Sequence, residues 1–228
     1  MGLMRKLRER IRQRGLRRVL KALWSRYVYF HWELLWMERD LSTPIKPQAL
    51  RPYGPVTLAT ITTDNADAFA RHFADRVEIM RELAADGHTG HMYLDNDGHA
   101  IAFIWGSTRD YFDRHYYGCT FTVAQGEFFA FCAEVVRPYF GTHLTVDGQL
   151  NLWDVMRAQG CHKVVDICES HNIQALKVHI RMGYHEQGRI THVHCLFGRW
   201  RLFRETRYDG SRLEPLRKPD RTAVTAPA

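Results

Sequence analysis

Absences narrow this chain first. Its 228 residues hold no Cys-x-x-Cys pair, and the five cysteines, at 119, 132, 161, 168 and 195, are odd in number. Neither a disulfide framework nor a zinc ribbon follows from such a set, and a reducing compartment suits it. No apolar run reaches the roughly 18 residues that a spanning helix needs. The start also lacks the short, uniformly apolar core of a signal peptide. No Gly-x-x-x-x-Gly-Lys-Ser/Thr loop, no Gly-x-Gly-x-x-Gly fingerprint and no His-Glu-x-x-His run occurs, so P-loop, dinucleotide-fold and zincin chemistry lose their usual markers. A cytoplasmic setting is the expectation, with peripheral attachment at the inner membrane face left open.

Acidic residues are scarce at one end. Residues 1–26 carry ten Lys/Arg and one acid, Glu9, whereas the whole chain has a formal charge of +7, so the remainder is near neutral. Leu3, Leu7, Ile11, Leu16, Val19, Leu20, Leu23 and Trp24 recur at three- and four-residue steps. The pattern predicts a basic amphipathic helix whose aromatic continuation, YVYFHWELLWMERDL, ends before Ser42, giving an extension over 1–41. It fits a helix packed on the domain with a solvated arginine face. It also fits one lying on an anionic membrane surface through residues 1–30, or docking to an acidic protein such as an acyl-carrier protein. Nucleic acid is disfavoured, because no recognition motif accompanies the charge.

Prolines are few, yet four of the eight fall in residues 42–55, which predicts a linker or strap. A compact domain is expected over 56–206, followed by a polar, frayed tail over 207–228. With 45% hydrophobic and 25% charged residues the chain can build a core. VTLATIT (56–62) reads as a strand, and the stretch from Asp64 to Gly87 as a helix. The turn Asn96–Asp97–Gly98 joins two strands. EFFAFCAEVV is a strand, 146–159 a helix stopped by Gly160, 162–169 a strand, NIQALKVHIRM a helix, and 188–203 further strand. The order predicts a mixed α/β domain, which by itself names no function.

Two stretches carry possible chemistry. AEVVRPYFGTHL (133–144) runs from a strand through a turn into a helix, where unpaired backbone N–H groups suit phosphates. NIQALKVHIRMGY (172–184) is a helix with Asn172 at its start, His179 within and Gly183 at its end. Taken singly, the first is an ordinary turn. The second is a capped helix with a half-buried histidine and a C-terminal glycine. On the strand HVHC (192–195), His192 and His194 share a face, but no third ligand is identifiable, so no metal site is expected. Cys132 and Cys168 lie on apolar strands and read as core. Trp200 and Phe203 pack, while Arg199, Arg201 and Arg204 face water or an anionic acceptor.

Together the two stretches resemble the GCN5-related N-acetyltransferase (GNAT) superfamily over about residues 56–203. Asn172, Ala175, Gly183 and Tyr184 match its N-x-x-A-x-x-x-Y-x-x-x-G-F helix, with His179 where the tyrosine stands. VRPYFGTHL is a degenerate form of its Q/R-x-x-G-x-G/A pyrophosphate loop, with Gly141 the only glycine. The resemblance implies a mostly antiparallel central sheet flanked by helices. It implies transfer of an acyl group, acetyl first, from acyl-CoA to an amine by direct attack, with no permanently bound cofactor. The acceptor is a small amine, an amino sugar or a protein amine. A long-chain transferase using acyl-CoA or acyl-carrier protein, and a non-catalytic module keeping the fold, remain alternatives. By the same resemblance, Phe140, Gly141, Thr142, His143 and Leu144 would meet the pyrophosphate, and Asn172 and Ala175 the pantetheine side. Arg137 would add charge near the nucleotide, and a backbone N–H around Glu134, Val135 and Val136 would polarise the thioester. His179 would protonate the departing sulfur or simply pack. Seven residues along an unbulged strand put Glu127 and Glu134 on opposite faces, so the two would not share one cleft; the resemblance, with its carboxylate near the start of this strand, implies Glu127 as base ahead of Glu134.

Overall fold

The computed structural model describes residues 28–45 and 50–216, together with Trp24. Ten strands form: β1 (Tyr29–Asp40), β2 (Thr57–Thr60), β3 (Thr89–Leu94), β4 (Ala100–Ser107), β5 (Tyr111–Phe112), β6 (Thr120–Phe121), β7 (Glu127–Val135), β8 (Lys163–Glu169), β9 (His185–Leu196) and β10 (Trp200–Arg207). Among the described residues three longer α-helices accompany them: α1 (Val77–Ala85), α2 (Leu144–Ala158) and α3 (Ile173–Arg181). Eight strands make one sheet in the order β10-β9-β1-β8-β7-β4-β3-β2, while β5 and β6 form a separate hairpin. Every neighbouring pair in the large sheet is antiparallel except β7 with β8.

β1 is the main correction to the expected extension over 1–41. Residues 29–40 are not helical; they form a strand wedged between β8 and β9. A strand buried on both faces presents a continuous apolar run, and periodicity cannot distinguish such a run from a buried helix. Leu34 and Trp36 join the core on one face, with Phe129 and Val165. Leu35 and Met37 join the core on the other, with Leu152, Trp153 and Leu176 from α2 and α3. The sheet domain therefore begins at Tyr29 rather than residue 56. The helix expected over 1–28 lies outside the described residues but for Trp24 and Val28. No helix among the described residues is long and apolar enough to cross a membrane.

Three smaller differences have local causes. The single helix expected from Asp64 to Gly87 is instead two 3-10 turns, Ala66–Phe69 and Ala74–Arg76, followed by α1. Asn65 accepts from the Thr62 amide and donates to the Thr60 carbonyl, and Phe73 leaves helical geometry as it enters the core beside Phe69 and Phe103. Of the stretch expected as a linker over 42–55, the described end is tied to the domain: Arg51 bridges to Thr142, and Tyr53 donates to Asp147 at 2.7 Å. Past Arg207 the chain does not fray at once. The Arg212 and Leu213 amides and the Tyr208 hydroxyl all donate to Glu186, and Leu213 is buried.

α3 hands over to β9 through Gly183, whose φ is +80°; a side chain there would also meet the guanidinium of buried Arg39. Both the left-handed backbone and the close approach demand glycine. Gly183→Ala is expected to cost about 1–3 kcal/mol, read as a lowered midpoint in urea unfolding followed by circular dichroism.

Candidate functional site

β7 and β8 run side by side only from Glu127/Lys163 to Ala130/Asp166 and then part. One residue later β7 bulges. Phe103 faces Glu134 and Trp105 faces Phe131, so Ile104 alone opposes both Cys132 and Ala133. Cys132 takes a φ of 51°, which a β-carbon resists, so the bulge stores strain at the point of divergence. Two cavities open there, of about 490 and 460 Å³, and both are lined by Ala133, Glu134, Gln149, Asn172, Ala175 and Val178.

The first cavity lies on the helical side. Val135, Phe140, Gly141, Thr142, Leu144 and Thr145 border it, with Lys177 and Arg181 from α3. Val136 donates to the Ile101 carbonyl at the end of β7, and Arg137 opens the 3-10 turn that follows. The turn is less generous with amides than its position suggested. Phe140 donates to Arg137, Thr142 to Tyr139, His143 to Arg51 at 3.0 Å, and Leu144 to the Thr142 hydroxyl. Among the described residues, the Gly141 and Thr145 amides make no such bond. Gly141 stands at φ +73° with open space where a side chain would project. Positive charge comes instead from Lys177 and Arg181, one turn apart on α3. The i, i+4 spacing of two cations behind Asn172 was the sequence signal for them.

The second cavity shares the α2 and α3 lining just named and reaches from it to an aromatic wall. Tyr111 stacks on Phe131 at 3.9 Å, and Phe121 on Phe129 at 4.8 Å. Glu134 reaches this cavity, where Arg76 donates to it at 2.6 Å. Glu169 accepts from the Tyr117 hydroxyl at 3.0 Å and lines the same space. Glu127 lines neither cavity: it sits at the closed end of the β7/β8 pair, bound to Lys163 at 3.0 Å. The bulge also removes the parity by which Glu127 and Glu134 were expected on opposite faces.

Asn172 is a helix cap, its side chain accepting from the Ala175 amide at 3.2 Å, while still facing both cavities. His179 is buried, and both ring nitrogens are committed. Nδ1–H donates to the Ala175 carbonyl at 2.8 Å, and Nε2–H donates to Asp166 at 2.9 Å. Neither acceptor can donate in return, which requires the doubly protonated ring beside a carboxylate. Burial opposes that charge, but Asp166 overrides it and holds His179 well above its ordinary pKa. A ring with no spare N–H does not serve as a proton donor to sulfur, so that expectation is not met in this geometry. Burial also pushes the Cys132 thiol up to about 12 and raises Cys168. Both remain thiols.

No protein-family model and no curated protein matches the sequence. In structure, the chain resembles a tandem GNAT protein from the clavulanic acid biosynthesis pathway, with a TM-score of 0.50 and 14% identity over 79% of this chain and 59% of that one. That likeness is one of fold: the two chains share the mixed sheet flanked by helices. A GNAT from Sphaerobacter thermophilus aligns over 79% of this chain and 56% of its own, at 16% identity and a TM-score of 0.46. An aminoglycoside N-acetyltransferase in complex with CoA aligns over 57% of this chain and 92% of its own, at 17% and 0.45. The chain thus spans less than two thirds of the tandem and Sphaerobacter GNAT chains.

Removing one member of a buried ion pair strands the other. Asp166→Ala is expected to lose about 3–5 kcal/mol. In the wild-type protein the raised His179 pKa contributes stability in full below about pH 6.5. That contribution fades as pH rises through the folded-state value. Urea midpoints measured from pH 6 to 10 should show the gap between the two proteins narrowing at high pH.

Proposed function

We propose that this chain moves an acyl group from acyl-CoA to an amine by direct attack. The observation that carries the reading is the parting of β7 and β8 beside the Cys132 bulge, with a cavity on each side of Glu134. In the reading, the acyl-CoA lies along the helical-side cavity with its phosphates toward Lys177, Arg181, Arg137 and the Gly141 turn. Its pantetheine arm passes Asn172 and Ala175. The acceptor amine enters past the aromatic wall. Its nitrogen attacks the thioester carbonyl carbon as Glu134, held by Arg76, takes the amine proton. The carbon–sulfur bond then breaks, and the thiolate leaves to be protonated from solvent. Most of the barrier reduction comes from holding amine and thioester in register, with the backbone N–H of Val135 polarising the carbonyl, since that of Val136 is held by Ile101.

The aromatic wall favours a bulkier acyl chain or an apolar acceptor as a second reading within the same chemistry. An isothermal titration of the protein with CoA, acetyl-CoA and decanoyl-CoA, paired with thiol release in the presence of amines, tests both. Binding of any thioester supports the function, and tighter binding of the decanoyl form supports the second reading. Failure of all three to bind folded protein overturns the assignment. Glu134→Gln should lower kcat by at least about 100-fold while leaving acyl-CoA affinity unchanged.

Residues 1–30 remain in this reading a basic amphipathic segment for an anionic membrane surface, with an acyl-carrier protein as the alternative partner. Because β1 starts at Tyr29, the informative truncation removes residues 1–27 and spares the sheet. The full chain should float with phosphatidylglycerol liposomes and the truncated one should not; equal recovery rejects the membrane role.

A further inference from the structure

We propose that His31, Glu33 and His192 form a binding site for a divalent transition-metal ion of the zinc type on the β1/β9 face. Register brings the three together: His31 lies opposite His194, and Glu33 lies opposite His192. Alternation along each strand then puts His31 and Glu33 on one face, beside His192 and His194. His31 Nε2 and His192 Nδ1 stand 3.1 Å apart. Two nitrogens sharing a tetrahedral ion at about 2.0–2.1 Å are separated by roughly 3.3 Å, so a small rotation of exposed His31 suffices. Glu33 Oε1 is 4.0 Å from His192 Nδ1, and the three ligand atoms all lie within 4.8 Å of one another.

The surroundings hold these groups as ligands rather than as a chance cluster. His192 Nε2 is 2.9 Å from the Thr206 hydroxyl on β10. With Nε2–H donating there, Nδ1 keeps its lone pair toward the site, the arrangement by which outer partners orient metal-binding imidazoles. The two Glu33 oxygens divide their work: Oε2 takes Arg212 at 3.4 Å while Oε1 faces His192. Arg212 and Arg204 oppose a cation electrostatically, and Arg212 offsets this by fixing the carboxylate. His194 is engaged elsewhere, its Nδ1 accepting from the Tyr29 hydroxyl at 2.8 Å. Two imidazoles and one carboxylate suit Zn²⁺ and its neighbours rather than Mg²⁺ or Ca²⁺, and leave a fourth position for water.

The test uses untagged full-length protein, stripped with chelator, and isothermal titration with Zn²⁺ at pH 7.5. Co²⁺ serves as a visible-absorption probe of tetrahedral coordination. One equivalent should bind, and Co²⁺ should give the intense bands of a four-coordinate site. His192→Ala should weaken binding by more than about 100-fold and Thr206→Val by about 10-fold. Circular dichroism should show each variant folded. No saturable binding, or undiminished binding by a His31→Ala/His192→Ala double variant, overturns the proposal; the latter would place the metal on the cysteines or other histidines. If His192→Ala does not fold, surface-exposed His31→Ala gives the same decision.

Discussion

The parallel pairing of β7 and β8 ends at Ala130 and Asp166, and the working parts of the molecule depend on that parting. Two strands that stop exchanging hydrogen bonds expose backbone groups and leave a wedge that something must hold open. On β7 the wedge is set by the Cys132 bulge, on β8 by the His179–Asp166 pair that ties the strand to α3. Neither device is cheap. A left-handed cysteine and a buried ion pair each cost free energy that an ordinary strand pair avoids. Their coincidence at one place is why the cavities open there.

The second organising feature is β1. It closes the gap between β8 and β9, supplies Trp36 to one core and Leu35 and Met37 to the other, and so joins the two halves of the sheet. It also ties the chain before residue 42 to the domain. The strap through Arg51 returns to the Gly141 turn, where it occupies the His143 amide. A stretch that composition presents as a spacer thus takes part in shaping the turn that borders the first cavity.

Much of the site was legible in short spacing. Asn172, Ala175, Gly183 and Tyr184 are local to one helix and its exit, so their register survives folding: Asn172 caps, and Gly183 turns beside Arg39. The antiparallel character of the sheet was also foreseeable from the resemblance. His179 shows the limit. Its position on α3 followed from helical spacing, but its role depended on Asp166, a partner from the preceding strand whose facing is set by packing. Glu127 and Glu134 show another: their relation hinged on a bulge, and no residue type in FFAFCAEV announces one.

Local order and polarity were therefore determined by the sequence alone: the helices after residue 143, the hairpin at Asn96–Gly98, and the concentration of positive charge in the first 26 residues. Those features depend on interactions within about one turn of chain, which composition and spacing encode directly. Which strands become neighbours was decided only in the folded protein. β1 reads as helix or strand equally well until β8 and β9 bury both of its faces. Once it is placed, His31 and Glu33 stand beside His192 across some 160 residues of chain. Proximity of that kind comes from hydrophobic burial and sheet register, neither of which leaves a mark at the residues it brings together.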